Sequence, residues 1–453
     1  MDAVSRVLGP DLLRVAVALA TSTGAGACVS RKWTRGLSRR ERFAWSAAAG
    51  LLVQAAVLLL LLAFPARPDA VRILLGEAAV ALTGLVLSRG GGAGALSRRP
   101  ASAREKAAIV LLAALAAAAW LVFFVGALAD GMYATDYLAF WGYKGKIVFL
   151  TGEVPLRLFR DPALYFAHRE YPLLVSFTLA ALAFFLGNWN DQALALLYPF
   201  AALATLLAIS GFLARRVSRV AGAGAAALAS LCVFLYRPAN AGTAEIPFAL
   251  GLVLASSAAI DALEGGTASV TARLVLASLF GASLKQEGTL FVFLLAVVLA
   301  LHLRGRARLV SCAALVLPAS LHWIALYLLR GNQTRRDFDF TLFEPRRWLE
   351  LPALFAQVVG RFLSIGAHEA LLPLLAVAVY LLVTRRGIAD ALLPVFPAQV
   401  LFYAVAFSVS SFDPMYAIDG AFRRIAMSLF PAFALVLGAR PASPTRAASP
   451  GSI

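Results

Sequence analysis

The residues best suited to chemistry gather in one polar interruption, D-Y-L-A-F-W-G-Y-K-G-K at 136–146. Asp136 can take a proton from an acceptor hydroxyl or amine, and Lys144 and Lys146 can hold a phosphate group beside it. If 133–149 is helical, Asp136, Phe140 and Lys144 line one face with Trp141 beside them. Phe140, Trp141, Ile147, Val148 and Phe149 then make the helix amphipathic enough to lie in a membrane interface. Four further polar groups stand out. They are His168-Arg-Glu170-Tyr171-Pro172, Glu245 in G-T-A-E-I-P (242–247), Lys285-Gln-Glu287-Gly288, and Arg423-Arg424 with Asp413 and Asp419 before them.

Each group also has a purely structural reading. Asp136 can be one charge among several on a wet loop, and the two lysines can lay their stems along lipid with the ammonium in water. Glu245 fits a helix N-terminus, where its charge favours the dipole and Pro247 suits the first turn. Lys285 and Glu287 are two residues apart and cannot face each other on a helix, which reads as a cap or bend. Arg423 and Arg424 fit the anchors at the end of a span.

The elements that must position these residues are apolar. Of 453 residues, 61% are hydrophobic and only 14% charged, with a mean hydropathy of +0.81. Soluble domains are about one quarter charged, and runs near the ~20 residues that cross a bilayer recur along the whole chain. The expected fold is an all-α polytopic membrane protein. Candidate spans cover 11–29, 43–64, 71–88, 107–128, 192–213, 221–238, 246–263, 270–284, 289–303, 309–329, 370–384, 388–410 and 424–438.

Basic clusters at 31–42 and 89–106, at Arg215/Arg216/Arg219, at Arg304/Arg306/Arg308 and at Arg385/Arg386 mark cytoplasmic loops. All of them fall on one side if the apolar segment 172–187 does not cross. It begins at Pro172, ends in Gly187-Asn-Trp-Asn-Asp191 and suits a re-entrant or interfacial segment. The expectation is thirteen crossings plus that segment. Residues 1–106 form N-terminal membrane helices and 107–439 the core, with a large outer loop at 129–171. Residues 440–453 form a cytoplasmic tail whose Pro, Ser and Ala content suits disorder. The apolar run Val15–Cys28 reads as a first membrane helix rather than a signal peptide, because its positive cluster follows it. Lys285-Gln-Glu287-Gly288 divides 270–303 into two short helices joined on the outer side.

This parity brings all the polar groups named above to the outer side, although it was fitted to the arginines of the inner loops. Ionisable groups at membrane depth are functional candidates by default. The net charge of +17 does not point to nucleic acid, because the Lys and Arg residues lie in short runs between apolar segments. Cys28, Cys232 and Cys312 have no ligand spacing. Asp136, Glu170, Glu245 and Glu287 offer oxygens to a divalent metal, with no spacing that requires one.

In order, spacing and common side these motifs resemble a family, the membrane-embedded GT-C glycosyltransferases that use polyprenyl- or dolichyl-phosphate sugars. Protein O-mannosyltransferases and the aminoarabinose transferases of lipid A belong to it. The carrying features are Asp136 in the first large outer loop, H-R-E-Y-P-L-L at 168–174, A-E-I-P-F-A at 244–249, L-K-Q-E-G at 284–288 and F-R-R at 422–424. The chain departs from the family pattern at Gly145, often alanine, at Gln286, usually asparagine, and at Glu245, more commonly aspartate.

The resemblance implies a GT-C-type helix bundle and an inverting sugar transfer from a polyprenyl-phosphate donor. Asp136 would be the general base. Lys285, Arg423 and Arg424 would bind the donor phosphate, with Arg335 and Arg336 of the outer loop 330–350 as further candidates. Trp141, Lys144, Lys146, His168, Glu170, Tyr171, Glu245 and Glu287 would shape the donor and acceptor cavity. Some members of the family bind a divalent metal and others do not. The partners implied are the lipid-linked donor, an acceptor glycan, lipid or protein, and the bilayer. The Ala-, Arg- and Gly-rich composition suits a bacterial inner membrane, with the site on its extracytoplasmic face. The alternative is a transporter or flippase of a lipid-linked or anionic solute. Transporters concentrate their polar groups near the midplane between repeated halves, whereas these gather at one surface.

Overall fold

The computed structural model describes residues 9–88, 101–154, 156, 160–161, 171–232, 235–330, 345–368, 388–408 and 423–439. Local sequence explains where the helices begin. α1 (Pro10–Thr34) opens on a proline in its first turn. α2 (Arg39–Leu61) opens on a capping box in which Ser38 and Glu41 satisfy each other's backbone N–H. Asp69 caps α3 (Ala70–Leu87), and a second capping box, Ser102 with Glu105, opens α4 (Ala103–Asp130). A π-helical turn (Tyr137–Trp141) leads into α5 (Gly142–Thr151), and α6 (Leu174–Leu186) and α7 (Leu197–Arg216) follow.

α8 (Arg219–Ser230), α9 (Glu245–Leu263), α10 (Ala268–Leu284), α11 (Gln286–His302) and α12 (Gly305–Arg330) complete the central bundle. α13 (Pro345–His368), α14 (Val395–Ser408), α15 (Arg423–Ser428) and α16 (Phe430–Gly438) close the described chain. Among the described residues no strand occurs, eight helices are long and apolar enough to cross a membrane, and three shorter apolar helices accompany them. This is the all-helical, membrane-type architecture expected from the composition. Large side chains such as Trp45, Phe123, Tyr198, Phe248 and Phe280 fill the interior, while Leu75, Leu82, Val110, Leu111 and Val122 of α3 and α4 face outward. That pattern suits a lipid surround.

The bundle has two distinct polar ends, and α9 spans between them. Asp261, near its C-terminus, takes hydrogen bonds from Arg215 and Arg216 of α7 and from Arg273 of α10. Arg215 also holds Glu41 at the start of α2. Glu245, sixteen residues before Asp261 and therefore ~24 Å away along the helix, lies at the opposite end beside Lys285. The basic clusters at 31–42 and 215–219 therefore meet at one end of the bundle, as expected from the sequence.

The segment 172–187 begins and ends at the other end. Its entry, Tyr171, stacks on Trp141. Near its exit, Phe184 meets the Arg67 guanidinium at 5.9 Å, and Arg67 lies in the turn at the far end of α2 from Glu41. Arg67 also donates to the Phe149 carbonyl, so the 137–151 unit likewise starts and finishes at this end.

Several expectations change. The helix expected over 133–149 starts at Thr135 and passes through a π-helical turn at Tyr137–Trp141. Tyr137, Trp141, Lys144 and Val148 are its buried face, with Asp136 and Phe140 half-buried. The span expected at 221–238 is helical only to Ser230. The chain then proceeds through turns around Pro238 and Gly242, whose φ of 98° favours glycine. Irregular backbone is tolerated at such depth where protein covers it. The region after 345, expected to continue an outer loop, is helical as α13, and its apolar residues (Trp348, Leu351, Phe355, Val358) recur at helical spacing rather than in a run. The span expected at 388–410 opens with a 3-10 turn (Ile388–Leu392), and 424–438 divides into α15 and α16. The expected span 370–384 and the tail 440–453 lie outside the described residues.

Candidate functional site

The polar end holds five charged groups from four distant stretches of chain. Asp136 stands at the exit of α4, ahead of the π-helical turn. Arg424, in the first turn of α15, reaches it with both terminal nitrogens: Nη1 donates to Oδ2 at 2.9 Å and Nη2 to Oδ1 at 3.2 Å. A planar guanidinium matches a carboxylate in this two-point fashion, which fixes direction as well as charge. Both groups are largely buried, with side-chain exposures of 17% and 18%.

The second pair rests on a break between two helices. Lys285 is extended (φ −150°, ψ 154°) and is the single residue between the end of α10 and the start of α11. The bend is tight enough that a Cβ on Gly288 would collide with the Gly281 carbonyl, so glycine is required there. Nζ of Lys285 lies 3.1 Å from Oε1 of Glu245 and 3.1 Å from Oε1 of Glu287. The residues two apart that could not meet on a helix meet because the helix stops between them.

Burial by itself disfavours the Lys285 ammonium, but the Glu245 and Glu287 carboxylates outweigh it and raise its pKa above the ordinary lysine value. Arg424 and Asp136 also act on Lys285, and Arg424 on Glu245, so the two pairs form one electrostatic unit. Among the described side chains of the cluster, three carboxylates (Asp136, Glu245, Glu287) face two cations (Lys285, Arg424), a formal balance of −1. Glu245 is 1% exposed, and its Oε2 has no hydrogen-bond partner among the described residues.

An aromatic wall adjoins the Asp136–Arg424 pair. Trp141 and Tyr171 stack with ring centres 5.4 Å apart, and Phe140 meets Tyr171 edge-on at 5.8 Å. The Lys144 ammonium lies 6.0 Å from both stacked rings and is buried, at 2% exposure. Burial settles the open reading of this lysine: it does not snorkel. Lys146 is exposed and does not join the cluster. His168, Glu170, Arg335 and Arg336 lie outside the described residues, and so does the side chain of Arg423. Among the described residues no group of three or more His, Cys, Asp or Glu could hold a metal ion.

The structure adds residues that sequence reading did not single out. The Tyr137 hydroxyl donates to Asp191, and Trp189 Nε1 donates to Asp191 at 2.8 Å, which ties the chain after α6 to the residue next to Asp136. Burial, and then the Asp191 carboxylate, raise the Tyr137 pKa and keep the phenol protonated. Gln399 of α14 donates to the Glu287 carbonyl at 3.0 Å and braces the break at Lys285. Their only sequence signal was polarity inside or beside an apolar run.

An apolar groove of about 890 Å³ runs down the bundle between α2, α10 and α12. Its upper wall includes Leu62, Leu173 and Ser283, and its lower wall includes Val29, Trp33 and Ala272. Leu173 follows Tyr171 by two residues and Ser283 precedes Lys285 by two, although none of the five charged side chains of the cluster lines the groove. Its span along α2, from Ala49 to Leu62, is ~20 Å. A long aliphatic slot of this kind suits a hydrocarbon chain. Comparison with protein-family models, with curated proteins and with solved structures finds no match to this chain.

Proposed function

We propose that this protein is an inverting glycosyltransferase, moving a sugar from a polyprenyl-phosphate donor to an acceptor at the extracytoplasmic face of a bacterial inner membrane. The observation that carries the reading is the meeting of Asp136, Arg424, Glu245, Lys285 and Glu287 in one buried cluster. The GT-C resemblance drawn from the sequence adds the reaction class. The thirteen-crossing topology belongs to the same proposal and places the cluster opposite the arginine-rich loops.

In this reading the acceptor oxygen or nitrogen attacks the anomeric carbon from the face opposite the phosphate. The bond from that carbon to the phosphate oxygen breaks, the acceptor proton passes to Asp136, and polyprenyl phosphate leaves with the electron pair. Lys285 and Arg424 neutralise the charge that grows on the leaving phosphate. Arg424 occupies one lone pair on each oxygen of Asp136, so a turn of Arg424 toward the donor phosphate leaves Asp136 freer to take the acceptor proton. Donor binding thereby prepares the base.

The test is incubation of the purified protein with a panel of radiolabelled polyprenyl-phosphate sugars and candidate acceptors. Sugar transfer that Asp136→Asn abolishes, in a protein that still folds in the membrane, supports the reading. Full transfer by that variant removes Asp136 as the base. Uptake of the lipid-linked substrate into proteoliposomes without any conversion favours the transporter instead.

A further inference from the structure

The first three helices carry a buried carboxylate that the proposed reaction does not use. Glu77, in the middle of α3, is 2% exposed, and neither of its oxygens has a hydrogen-bond partner among the described residues. Gln54 of α2 is fully buried, and both its amide oxygen and its amide nitrogen are likewise without a partner there. Four polar atoms left in this state cost on the order of several kcal/mol.

Register brings the two residues to similar heights along α1. Gly50 of α2 packs on the Ser22 backbone of α1, so Gln54, one turn further on, faces α1 near Ala18. Gly84 of α3 packs on the Cys28 backbone of the same helix, so Glu77, two turns earlier on the same face, lies near Thr21. Ala18 and Thr21 differ in height by ~5 Å. Thr21 acts directly on the Glu77 carboxyl. Its hydroxyl also lies 3.0 Å from the Ala18 carbonyl, and that of Ser22 donates to the Leu19 carbonyl at 3.1 Å. The Thr21 hydroxyl can thus turn its proton to the Ala18 carbonyl or to the Glu77 carboxyl, and in the first case it offers Glu77 only lone pairs.

No described helix supplies a countercharge at this depth. α1 has no charged residue between Arg14 and Arg31, α2 none between Arg42 and Leu61, and α6 none at all. On α3 itself Arg72 lies more than a turn away and donates to the Arg67 carbonyl. A buried carboxylate with no cationic side chain at its depth, in a segment of membrane length, requires a proton or a positive partner.

We propose that Glu77, with the Gln54 amide oxygen and the Thr21 and Ser22 hydroxyls, forms a binding site for a small monovalent cation, sodium or a proton. The site lies within α1–α3 and is independent of the glycosyl-transfer reading. A bound cation neutralises Glu77 and gives the surrounding oxygens a shared partner.

The test uses the full purified chain in detergent. Thermal unfolding is followed as NaCl replaces choline chloride at constant ionic strength and mildly alkaline pH, and then in choline chloride alone as pH falls. A saturable rise in Tm of about 5 °C with sodium, absent from Glu77→Gln and weakened in Gln54→Leu, identifies a sodium site. The same rise with protons alone identifies a proton site. Equal responses from wild type and Glu77→Gln overturn the proposal.

A second readout needs only the wild-type chain. Dicyclohexylcarbodiimide, which attacks protonated carboxyl groups in apolar surroundings, is reacted with the protein and its adduct located by peptide mass. Labelling of Glu77 that falls with rising pH or added sodium supports the site. Absent labelling, or labelling indifferent to both, overturns it.

Discussion

α9 ends in an ion network on each side, and the two are built to opposite specifications. At the arginine-rich end, Arg215, Arg216 and Arg273 face Glu41, Asp261 and Glu264, three cations to three carboxylates. Each member sits on a helix or at its end, and Asp261 alone receives three arginines. At the other end three carboxylates face two cations, one Glu245 oxygen stands without a partner among the described residues, and the members come from a loop exit, a helix break and a short helix. Balanced and fully paired networks hold helices in place. A network with surplus charge, mounted on breaks and turns, can exchange partners with a ligand.

The largest expected effect breaks this contrast most directly. Asp136→Asn should lower sugar transfer at least ~100-fold and move Tm by no more than a few degrees, since Asn keeps the shape and Arg424 retains an acceptor oxygen. A collapse in Tm comparable to that of an inner-network variant would make the two ends alike. The inner network supplies the converse. Asp261→Ala strips Arg215, Arg216 and Arg273 of a shared partner and should cost ~3–5 kcal/mol, as breaking a buried pair does, seen as a large fall in Tm. Transfer per folded molecule should survive.

Glu245→Gln sharpens the comparison. It changes the formal balance of the outer cluster from −1 to 0 and leaves Lys285 paired with Glu287. Polyprenyl phosphate should then bind several-fold tighter in a direct binding assay, because one carboxylate no longer competes for the cations. Weaker binding would mean that Glu245 positions Lys285 more than it competes for it. The smallest effect belongs to Lys146. Exposed on α5, it should tolerate Lys146→Ala with transfer rates within about twofold of wild type, whereas Lys144→Ala, which empties a buried place under Trp141 and Tyr171, should not.

Much of this was legible in the residues. Long apolar runs require helices in a bilayer, because backbone polar groups there must be satisfied within the segment. Ser38 with Glu41 and Ser102 with Glu105 announce two helix starts, and the spacing of Lys285 and Glu287 announces a break. Other features were hidden. The π-helical turn at Tyr137–Trp141 has no residue pattern that sets it apart from a regular helix. α13 escaped notice because its apolar residues are periodic, not continuous. Glu77 and Gln54 look ordinary in sequence, since a lone acid or amide in a span does not reveal whether a neighbouring helix will answer it.

The sequence by itself determined that this chain is a helical, membrane-type protein whose basic loop clusters are expected at one end and whose unusual acids and bases at the other. Hydropathy and charge are properties of segments, and a bilayer sorts segments. Only the tertiary structure decided that Arg424 grips Asp136 across 288 positions of chain, that Lys285 answers Glu245 as well as Glu287, and that Glu77 has no ionic partner among the described residues. Those outcomes depend on which faces of which helices meet, within the few ångströms over which a hydrogen bond is made or lost.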